Sequence, residues 1–211
     1  MKYLIVNADD FGYSPGVNRG IIKAHQEGIV TSTSVMVHAI AADEAKSLAW
    51  YPKLAIGLHF VPNEGTPVAD ELQRQVDKFI GIVGKKPSHI DIHKVQEEDI
   101  NLKDAVNIYA QANDIPARYS GAAKFINSFF GPHANGDVSV DKLKESLSEA
   151  TEPYNELMCH VGFADEYLLT HSSYNTLREN ELESICDISI KEFIEEMGLT
   201  LTNWDSIRQN L

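Results

Sequence analysis

Near its amino terminus the chain reads Tyr3-Leu4-Ile5-Val6-Asn7-Ala8-Asp9-Asp10-Phe11-Gly12. The apolar run that opens this stretch is short, contains β-branched residues and is flanked by polar residues, so it predicts a buried β-strand. The two adjacent carboxylates, Asp9 and Asp10, are costly to place near a core unless something compensates their charge. A divalent metal ion or a shared proton would do so, and the structural alternative is a turn that caps the next helix.

Short apolar runs alternate with amphipathic stretches along most of the chain. We predict strands at 2–7, 33–38, 54–60, 88–93, 116–120, 156–162 and 199–203. We predict helices at 16–25, 41–50, 69–83, 102–113, 140–150 and 189–197. Ser14 and Pro15 mark the start of the first helix, and Ser189 with Glu192 makes a capping box for the last.

This alternation is typical of βαβ units in a parallel sheet. Seven strands favour a barrel, and no glycine-rich phosphate loop supports an open doubly wound sheet. We therefore expect an α/β fold, an irregular TIM-like (β/α) barrel of about seven strands, as a single domain over residues 1–211. The most loop-like region is 127–139, and its His133 is expected to be exposed to solvent.

The composition excludes several classes of partner. A net charge of −13 argues against nucleic acid and against an anionic membrane surface, which both select basic proteins. No apolar run approaches the roughly 20 residues of a membrane helix, and no secretory signal is recognisable. We expect a cytoplasmic protein that acts on a small molecule, and we leave open whether it forms a homo-oligomer.

Titratable side chains follow the predicted strands one after another. They are Asp9 and Asp10 after the first strand, His59 in the third, His93 in the fourth, Arg118 in the fifth and His160 in the sixth. In a parallel barrel these strand ends share one rim, which is where active sites lie. A single histidine at a strand end is more often structural, but three histidines and paired carboxylates together indicate a site.

One carboxylate and two imidazoles form a metal-binding set that leaves positions open for water and substrate. We assign Asp10, His59 and His93 as ligands of one divalent metal ion, with Mg²⁺ or Zn²⁺ expected. Asp9 is then the general base beside the bound water, because the metal lowers the pKa of that water.

Two further residues complete the predicted machinery. His160 is assigned as the acid that protonates a leaving amine. Arg118 is assigned to pair with Asp9 and keep it ionised, and a surface ion pair is the alternative. Asp91 shares a strand face with His93 and is expected either to orient a ligand histidine or to form a buried structural pair.

Aromatic side chains next to these residues are candidates for stacking on a sugar ring. Phe11, Phe60 and Phe163 adjoin motif residues, with core packing as the alternative for each. Tyr174 is expected to border the site.

At this point the chain resembles the YdjC-like carbohydrate deacetylases, the family that includes the chitooligosaccharide deacetylases. The matching segments, in the family's order, are Asn7–Gly12, Gly16–Ile21, Val30–Ser34, Gly57–His59, Pro87–His93, His160–Gly162, Ser172–Asn175, Arg178-Glu179 and Glu181-Leu182. Together they cover nearly the whole chain.

The resemblance implies a (β/α) barrel related to polysaccharide deacetylases. It implies metal-dependent removal of an N-acetyl group from an amino sugar, such as diacetylchitobiose or its phosphate. It gives the metal role to Asp10, His59 and His93, the base role to Asp9 and the acid role to His160, and it supports Arg118 less distinctively.

The chain departs from the family pattern in two places. The family's Asp-Ser-His-His-His run is replaced by Asp91-Ile92-His93-Lys94, and the segment 61–72 is shorter than usual. These departures keep two alternatives open. One is a metal-dependent isomerase or aldolase that uses a lysine such as Lys94, and the other is a non-catalytic carbohydrate-binding relative.

Overall fold

The computed structural model describes residues 1–131 and 136–208, so His133 lies outside the described residues. The strands are β1 (Lys2–Phe11), β2 (Ser32–Val35), β3 (Ala55–Phe60), β4 (Ile90–Ile92), β5 (Lys124–Ile126), β6 (Tyr154–Cys159) and β7 (Leu199–Thr202). The α-helices are α1 (Pro15–Gln26), α2 (Val68–Val83), α3 (Ile100–Ala112), α4 (Val140–Leu147), α5 (Glu166–His171), α6 (Leu177–Cys186), α7 (Ile188–Glu196) and α8 (Trp204–Arg208). Two 3-10 helices cover Ala42–Trp50 and Arg118–Ser120.

All seven strands belong to one parallel sheet, with β1 near its centre. The order is β4-β3-β2-β1-β6-β5. Strand β6 pairs with one edge of β1. On the opposite edge, β7 pairs with Lys2–Ile5, and β2 pairs with β1 from Asn7 onward. The sheet curls into a half-barrel with helices between successive strands, which confirms the predicted α/β barrel class.

The two faces of β1 differ in chemistry, and this difference positions the site. Leu4, Val6 and Ala8 are fully buried in the main core, beneath the helices. Ile5, on the other face, packs in a smaller cluster with Trp204 from α8. Because side chains alternate along a strand, the next residues on that inner face are Asn7 and Asp9. The inside of the half-barrel is therefore apolar near the strand starts and polar near the strand ends.

Two secondary-structure predictions were wrong. The predicted strand 116–120 is a single bridge from Ala117 to Ile90, followed by a 3-10 helix, and β5 begins later, at Lys124. The capping box at Ser189 does not form, because α7 begins one residue earlier and the Asp187 side chain accepts a hydrogen bond from the Ser189 N–H. The cap of α1 is as predicted, since the Ser14 side chain accepts from the Val17 N–H.

The sequence patterns did not predict α5, α6 and α8. The helix α6 has both buried charged and buried apolar residues on its inner side, so its amphipathic signal is weak. Within the described residues, no helix has the length and apolar character needed to cross a membrane.

Candidate active site

The end of β1 departs from regular strand geometry at Asp10. The pairing of β1 with β2 shifts register between Ala8 and Phe11, and Asp10 has φ of +72°. Aspartate is one of the few residues besides glycine that adopts this left-handed conformation. Two consecutive residues of a regular strand would point to opposite faces, whereas this irregularity places Asp9 and Asp10 in two neighbouring polar clusters at the same end of the sheet.

Asp10, His59 and His93 bring three potential ligand atoms together. The Oδ1 atom of Asp10 lies 3.1 Å from Nε2 of His59 and 3.4 Å from Nδ1 of His93. The two imidazole nitrogens are 3.1 Å apart. Atoms about 2.0–2.1 Å from a shared ion lie about 2.8–3.4 Å from one another at octahedral to tetrahedral angles. Oδ1 is also buried with no hydrogen bond to a described residue, so these three residues fit a metal ion.

His59 is oriented for this role by Asp91. Its Nδ1 atom lies 2.6 Å from Oδ1 of Asp91, which leaves Nε2 directed toward Asp10 and His93. Burial alone would lower the pKa of His59, but the charge of Asp91, the close approach of Asp10 and the hydrogen bond with Asp91 raise it to about 10. The same negative surroundings attract a metal cation in place of that proton. Asp91 thus lies where it can orient a ligand histidine.

Asp9 is held by Arg118 and Asn7. The Arg118 guanidinium donates from Nη1 to Oδ2 of Asp9 over 2.8 Å and from Nη2 to Oδ1 over 2.7 Å. The side-chain amide of Asn7 donates to Oδ1 over 2.8 Å. All three side chains are buried, so the pair of Arg118 with Asp9 is not the surface ion pair that was the alternative.

Arg118 also compensates two other buried acids. Its Nη2 atom is 3.0 Å from Oδ2 of Asp91 and 3.0 Å from Oε1 of Glu156. Asp9, His59 and Asp91 form a second group of closely spaced ligand atoms, but the guanidinium already supplies a positive charge there. The first group, with Asp10, is therefore the better candidate to hold a metal ion.

His160 lies beside Asp10, in an aromatic environment. Its Nε2 atom is 4.0 Å from Oδ2 of Asp10, and its ring centroid is 4.3 Å from that of Phe130 and 6.0 Å from that of Tyr174. Burial lowers the pKa of His160 to about 4, although Asp10 opposes this effect. The imidazole is therefore neutral near pH 7 in the free protein and must gain a proton before it can act as an acid.

The sequence patterns assigned no role to two residues that the structure brings to the site, Arg178 and Glu181. Nη2 of Arg178 donates to Oδ2 of Asp10 over 2.6 Å. The backbone N–H of His160 donates to Oε2 of Glu181 over 2.5 Å. Both residues lie on α6, within motifs that the resemblance had matched. The signal in the sequence that could have identified them is the pair of opposite charges three positions apart, next to apolar residues.

The predicted substrate-contacting aromatic residues need correction. Phe11 and Phe60 have no exposed surface and belong to the main hydrophobic core, so they cannot contact a substrate without rearrangement. Phe163 packs against the same core. Tyr174 does border the site, since its ring lies near both His160 and Arg178.

A cleft of about 650 Å³ opens near the carboxyl ends of β1, β2 and β3. Its walls include Tyr13, Met36, His38, Val61, Asn63 and Tyr167. The rings of Tyr13 and Tyr167 meet edge to face at 6.1 Å, and the Tyr13 ring lies 5.8 Å from the guanidinium carbon of Arg178. Arg178 therefore lies near Tyr13 of the cleft wall and also donates a hydrogen bond to Asp10.

Known proteins are similar to this chain over most of its length. A family model described as "YdjC-like protein" matches residues 3–70 and 62–196. The chain belongs to the YdjC-like family. A "Chitooligosaccharide deacetylase" of Serratia marcescens is 30% identical over 253 aligned positions, which cover 98% of this chain and 99% of the relative. Since this chain has 211 residues, the relative carries segments that this chain lacks.

Solved structures extend the similarity of this YdjC-like protein. A proposed cellobiose-phosphate cleavage protein of Enterococcus faecalis has a TM-score of 0.84 at 27% identity, with 98% of both chains covered. A family 4 carbohydrate esterase of Streptomyces lividans has a TM-score of 0.61 at 15% identity, with 95% of this chain and 91% of the esterase covered. The second likeness shows a shared fold.

Proposed function

We propose that this YdjC-like protein is a metal-dependent hydrolase that removes the N-acetyl group from an acetylated amino sugar. The observation that carries the proposal is the approach of Asp10, His59 and His93 within 3.1–3.4 Å of one another, next to an arginine-bound Asp9. The similarity to a chitooligosaccharide deacetylase supports a chitooligosaccharide, such as diacetylchitobiose or its phosphate, as the substrate.

Asp10, His59 and His93 are the residues that would hold the metal, and Mg²⁺ or Zn²⁺ are the ions we propose. Such an ion supplies Lewis acidity, which polarises an amide carbonyl and lowers the pKa of water. The two parallel hydrogen bonds from Arg118 and the hydrogen bond from the Asn7 amide hold the Asp9 carboxylate in position as a general base.

The proposed reaction is amide hydrolysis. Asp9 takes a proton from water as the new carbon–oxygen bond forms at the acetyl carbon. His160, charged by then, gives a proton to the amide nitrogen as the carbon–nitrogen bond breaks. The products are acetate and a free amino sugar. Because His160 is neutral in the free protein, we propose that it takes this proton from solvent when substrate is bound and negative charge develops beside it, and that Asp9 returns its proton to solvent after the products leave.

We propose that the cleft lined by Tyr13 and Tyr167 accepts the sugar. Aromatic rings offer an apolar surface to the face of a pyranose, and the polar side chains of His38 and Asn63 on the same walls can bind its hydroxyl groups. Tyr13 of the cleft wall lies near Arg178, which donates to Asp10, and we propose that a sugar bound in the cleft presents its acetamido group toward the metal residues.

The two alternatives receive little support. An isomerase or aldolase that used Lys94 would need its amine in the site, but Lys94 is exposed, at a turn beyond the end of β4. A non-catalytic relative would have no need to keep Asp9, Asp10 and three histidines together, with a buried arginine on Asp9.

The test is acetate release from N,N'-diacetylchitobiose and its phosphate by purified protein. The assay is run before and after chelation, and then with Mg²⁺ or Zn²⁺ added back singly. We expect release that chelation abolishes and that one of these metals restores. A protein that binds metal but releases no acetate from either sugar would contradict the proposed substrate.

A further inference from the structure

The helix α6 places two buried, oppositely charged side chains against the site. Arg178 and Glu181 are 3% and 0% exposed, and they lie three residues apart on one face of the helix. Burying a charged group is unfavourable unless it forms ion pairs or hydrogen bonds. The partners of these two side chains therefore indicate their roles. Each finds its partner outside the helix, at a residue of the proposed machinery.

Arg178 fixes the carboxylate of Asp10. Its Nη2 atom donates to Oδ2 over 2.6 Å, which leaves Oδ1 to face His59 and His93. The guanidinium is itself held in place, because Nε donates to the Tyr174 carbonyl over 3.0 Å and the rings of Tyr13 and Tyr174 lie 5.8 and 5.6 Å from it. Asp10 therefore has one oxygen for orientation and one for a metal.

Glu181 fixes the end of β6 and an aromatic ring beside it. Oε2 accepts from the backbone N–H of His160 over 2.5 Å, and Oε1 accepts from the hydroxyl of Tyr174. That hydroxyl in turn accepts from the N–H of Gly131 over 3.1 Å. A single buried carboxylate thus joins the strand that carries His160 to two segments around its imidazole.

We propose that α6 is the positioning element of the site, in which Arg178 orients the metal carboxylate Asp10 and Glu181 orients His160. The Glu181 half of this inference rests on the proposed deacetylase function. The Arg178 half rests only on metal binding and can be measured without a substrate.

The first experiment titrates Zn²⁺ into metal-free wild type, Arg178→Met, Arg178→Lys and the control Arg19→Met by calorimetry. Arg19 is an exposed arginine on α1. We expect Arg178→Met to weaken zinc binding by about 10–100-fold, the usual cost of losing a residue that orients a metal ligand. Arg178→Lys should recover part of that loss, and Arg19→Met should bind like wild type.

Electrostatics alone predicts the opposite result for Arg178. Removing a cation 2.6 Å from the ligand carboxylate would strengthen the binding of another cation if orientation did not matter. Equal or tighter zinc binding by Arg178→Met would therefore overturn the proposal. If Arg178→Met does not fold, Arg178→Lys provides the test. A folded lysine variant that binds zinc as tightly as wild type would also overturn the proposal.

The second experiment compares Glu181→Gln with Glu183→Gln, a change at an exposed glutamate of the same helix. Glutamine replaces one of the two carboxylate oxygens with an NH2 donor, so it cannot accept at both of the positions that Glu181 uses. We expect kcat to fall about tenfold in Glu181→Gln while zinc affinity stays at the wild-type value, and Glu183→Gln should change neither. An unchanged kcat in Glu181→Gln, or an equal loss of zinc affinity, would overturn its role toward His160.

The experiments distinguish a failure of the positioning roles of Arg178 and Glu181 from a failure of the proposed deacetylase function. If wild type binds zinc but releases no acetate, the deacetylase proposal fails while the result for Arg178 stands. If wild type binds zinc and releases acetate but the Arg178 and Glu181 variants match it, only the positioning role of α6 fails.

Discussion

Asp9 and Asp10 are adjacent in the chain but lie in two differently built regions. The inner cluster consists of Asn7, Asp9, Asp91, Arg118 and Glu156. The rim cluster consists of Asp10, His59, His93, His160 and Arg178. In the inner cluster both oxygens of Asp9 accept hydrogen bonds. In the rim cluster Oδ1 of Asp10 and Nδ1 of His160 are buried without a hydrogen bond to any described residue.

The two regions differ at their aspartates, because both oxygens of Asp9 are bound whereas Oδ1 of Asp10 is not, although Asn7 Oδ1 and Glu156 Oε2 of the inner cluster also have no hydrogen bond to a described residue. A carboxylate whose oxygens are fixed by a guanidinium keeps its charge and its position, as a general base requires. A buried ligand atom without a partner is unfavourable in the free protein and is satisfied when a cation arrives. The two regions thus divide the proposed work between proton transfer and metal binding, and changes made in each should have different effects.

Loss of a rim ligand should have the largest effect. In His59→Ala one of three ligand atoms disappears and Asp91 loses its partner, so we expect metal to be lost on dialysis and acetate release to fall below detection. Metal content by mass spectrometry, measured beside the assay, checks this. His25→Ala, in α1 and outside both clusters, should retain both properties, and full metal occupancy in His59→Ala would remove His59 from the ligand set.

Loss of the inner base should separate metal binding from turnover. Asp9→Asn keeps the size of the side chain but cannot take a proton. We expect kcat to fall by about 10²–10⁴-fold, the usual contribution of a general base, with metal content unchanged. Calorimetric metal titration and initial rates on the same preparation test both parts. Turnover near that of wild type would rule out Asp9 as the base.

A conservative substitution in the inner cluster should have a smaller effect, which we expect on both the free energy of unfolding and kcat. Arg118→Lys keeps the positive charge but cannot donate the two parallel hydrogen bonds to Asp9. We expect unfolding in urea to show a loss of about 1.5–3 kcal/mol, the range for a hydrogen bond to a charged group, and we expect kcat to fall about tenfold. Arg19→Lys, at an exposed arginine on α1, is the control. An Arg118→Lys variant with the stability and activity of wild type would show that neither needs the two parallel hydrogen bonds to Asp9.

The sequence predicted these two regions unequally. The alternation of strands and helices was sufficient to place Asp9, Asp10, His59, His93 and His160 at one end of the sheet, because parallel strands share one carboxyl edge. The φ of Asp10 leaves no pattern in a single sequence. Arg178 and Glu181 were missed because a helix that buries charged residues does not show a clean apolar stripe. Phe11 and Phe60 were misjudged because proximity in sequence to a site residue says little about the face on which a side chain lies.

The smallest predicted effect concerns proton binding by the inner cluster. Burial raises the pKa of Glu156 to about 7, although Arg118 opposes this, and Asp9 and Asp91 add to the increase. Its Oε2 atom has no hydrogen bond to a described residue. An unfolded glutamate has a pKa near 4.3, so between about pH 4.3 and 7 the folded protein holds more protons than the unfolded chain. The contribution of Glu156 to stability is therefore full below that window and is lost as the pH rises through it.

Glu156→Gln removes this titration and keeps the shape of the side chain. We expect the free energy of unfolding to depend less steeply on pH between 5 and 7, by at most about 1.4 kcal/mol per pH unit, the equivalent of one proton. Urea unfolding at pH 5, 6, 7 and 8 measures the slope, with Glu183→Gln as the exposed control. Glu181, whose pKa burial also raises to about 7, remains in both variants and leaves a residual slope. An unchanged slope in Glu156→Gln would mean that Arg118 keeps Glu156 ionised throughout, and that the inner cluster holds three full negative charges around one guanidinium.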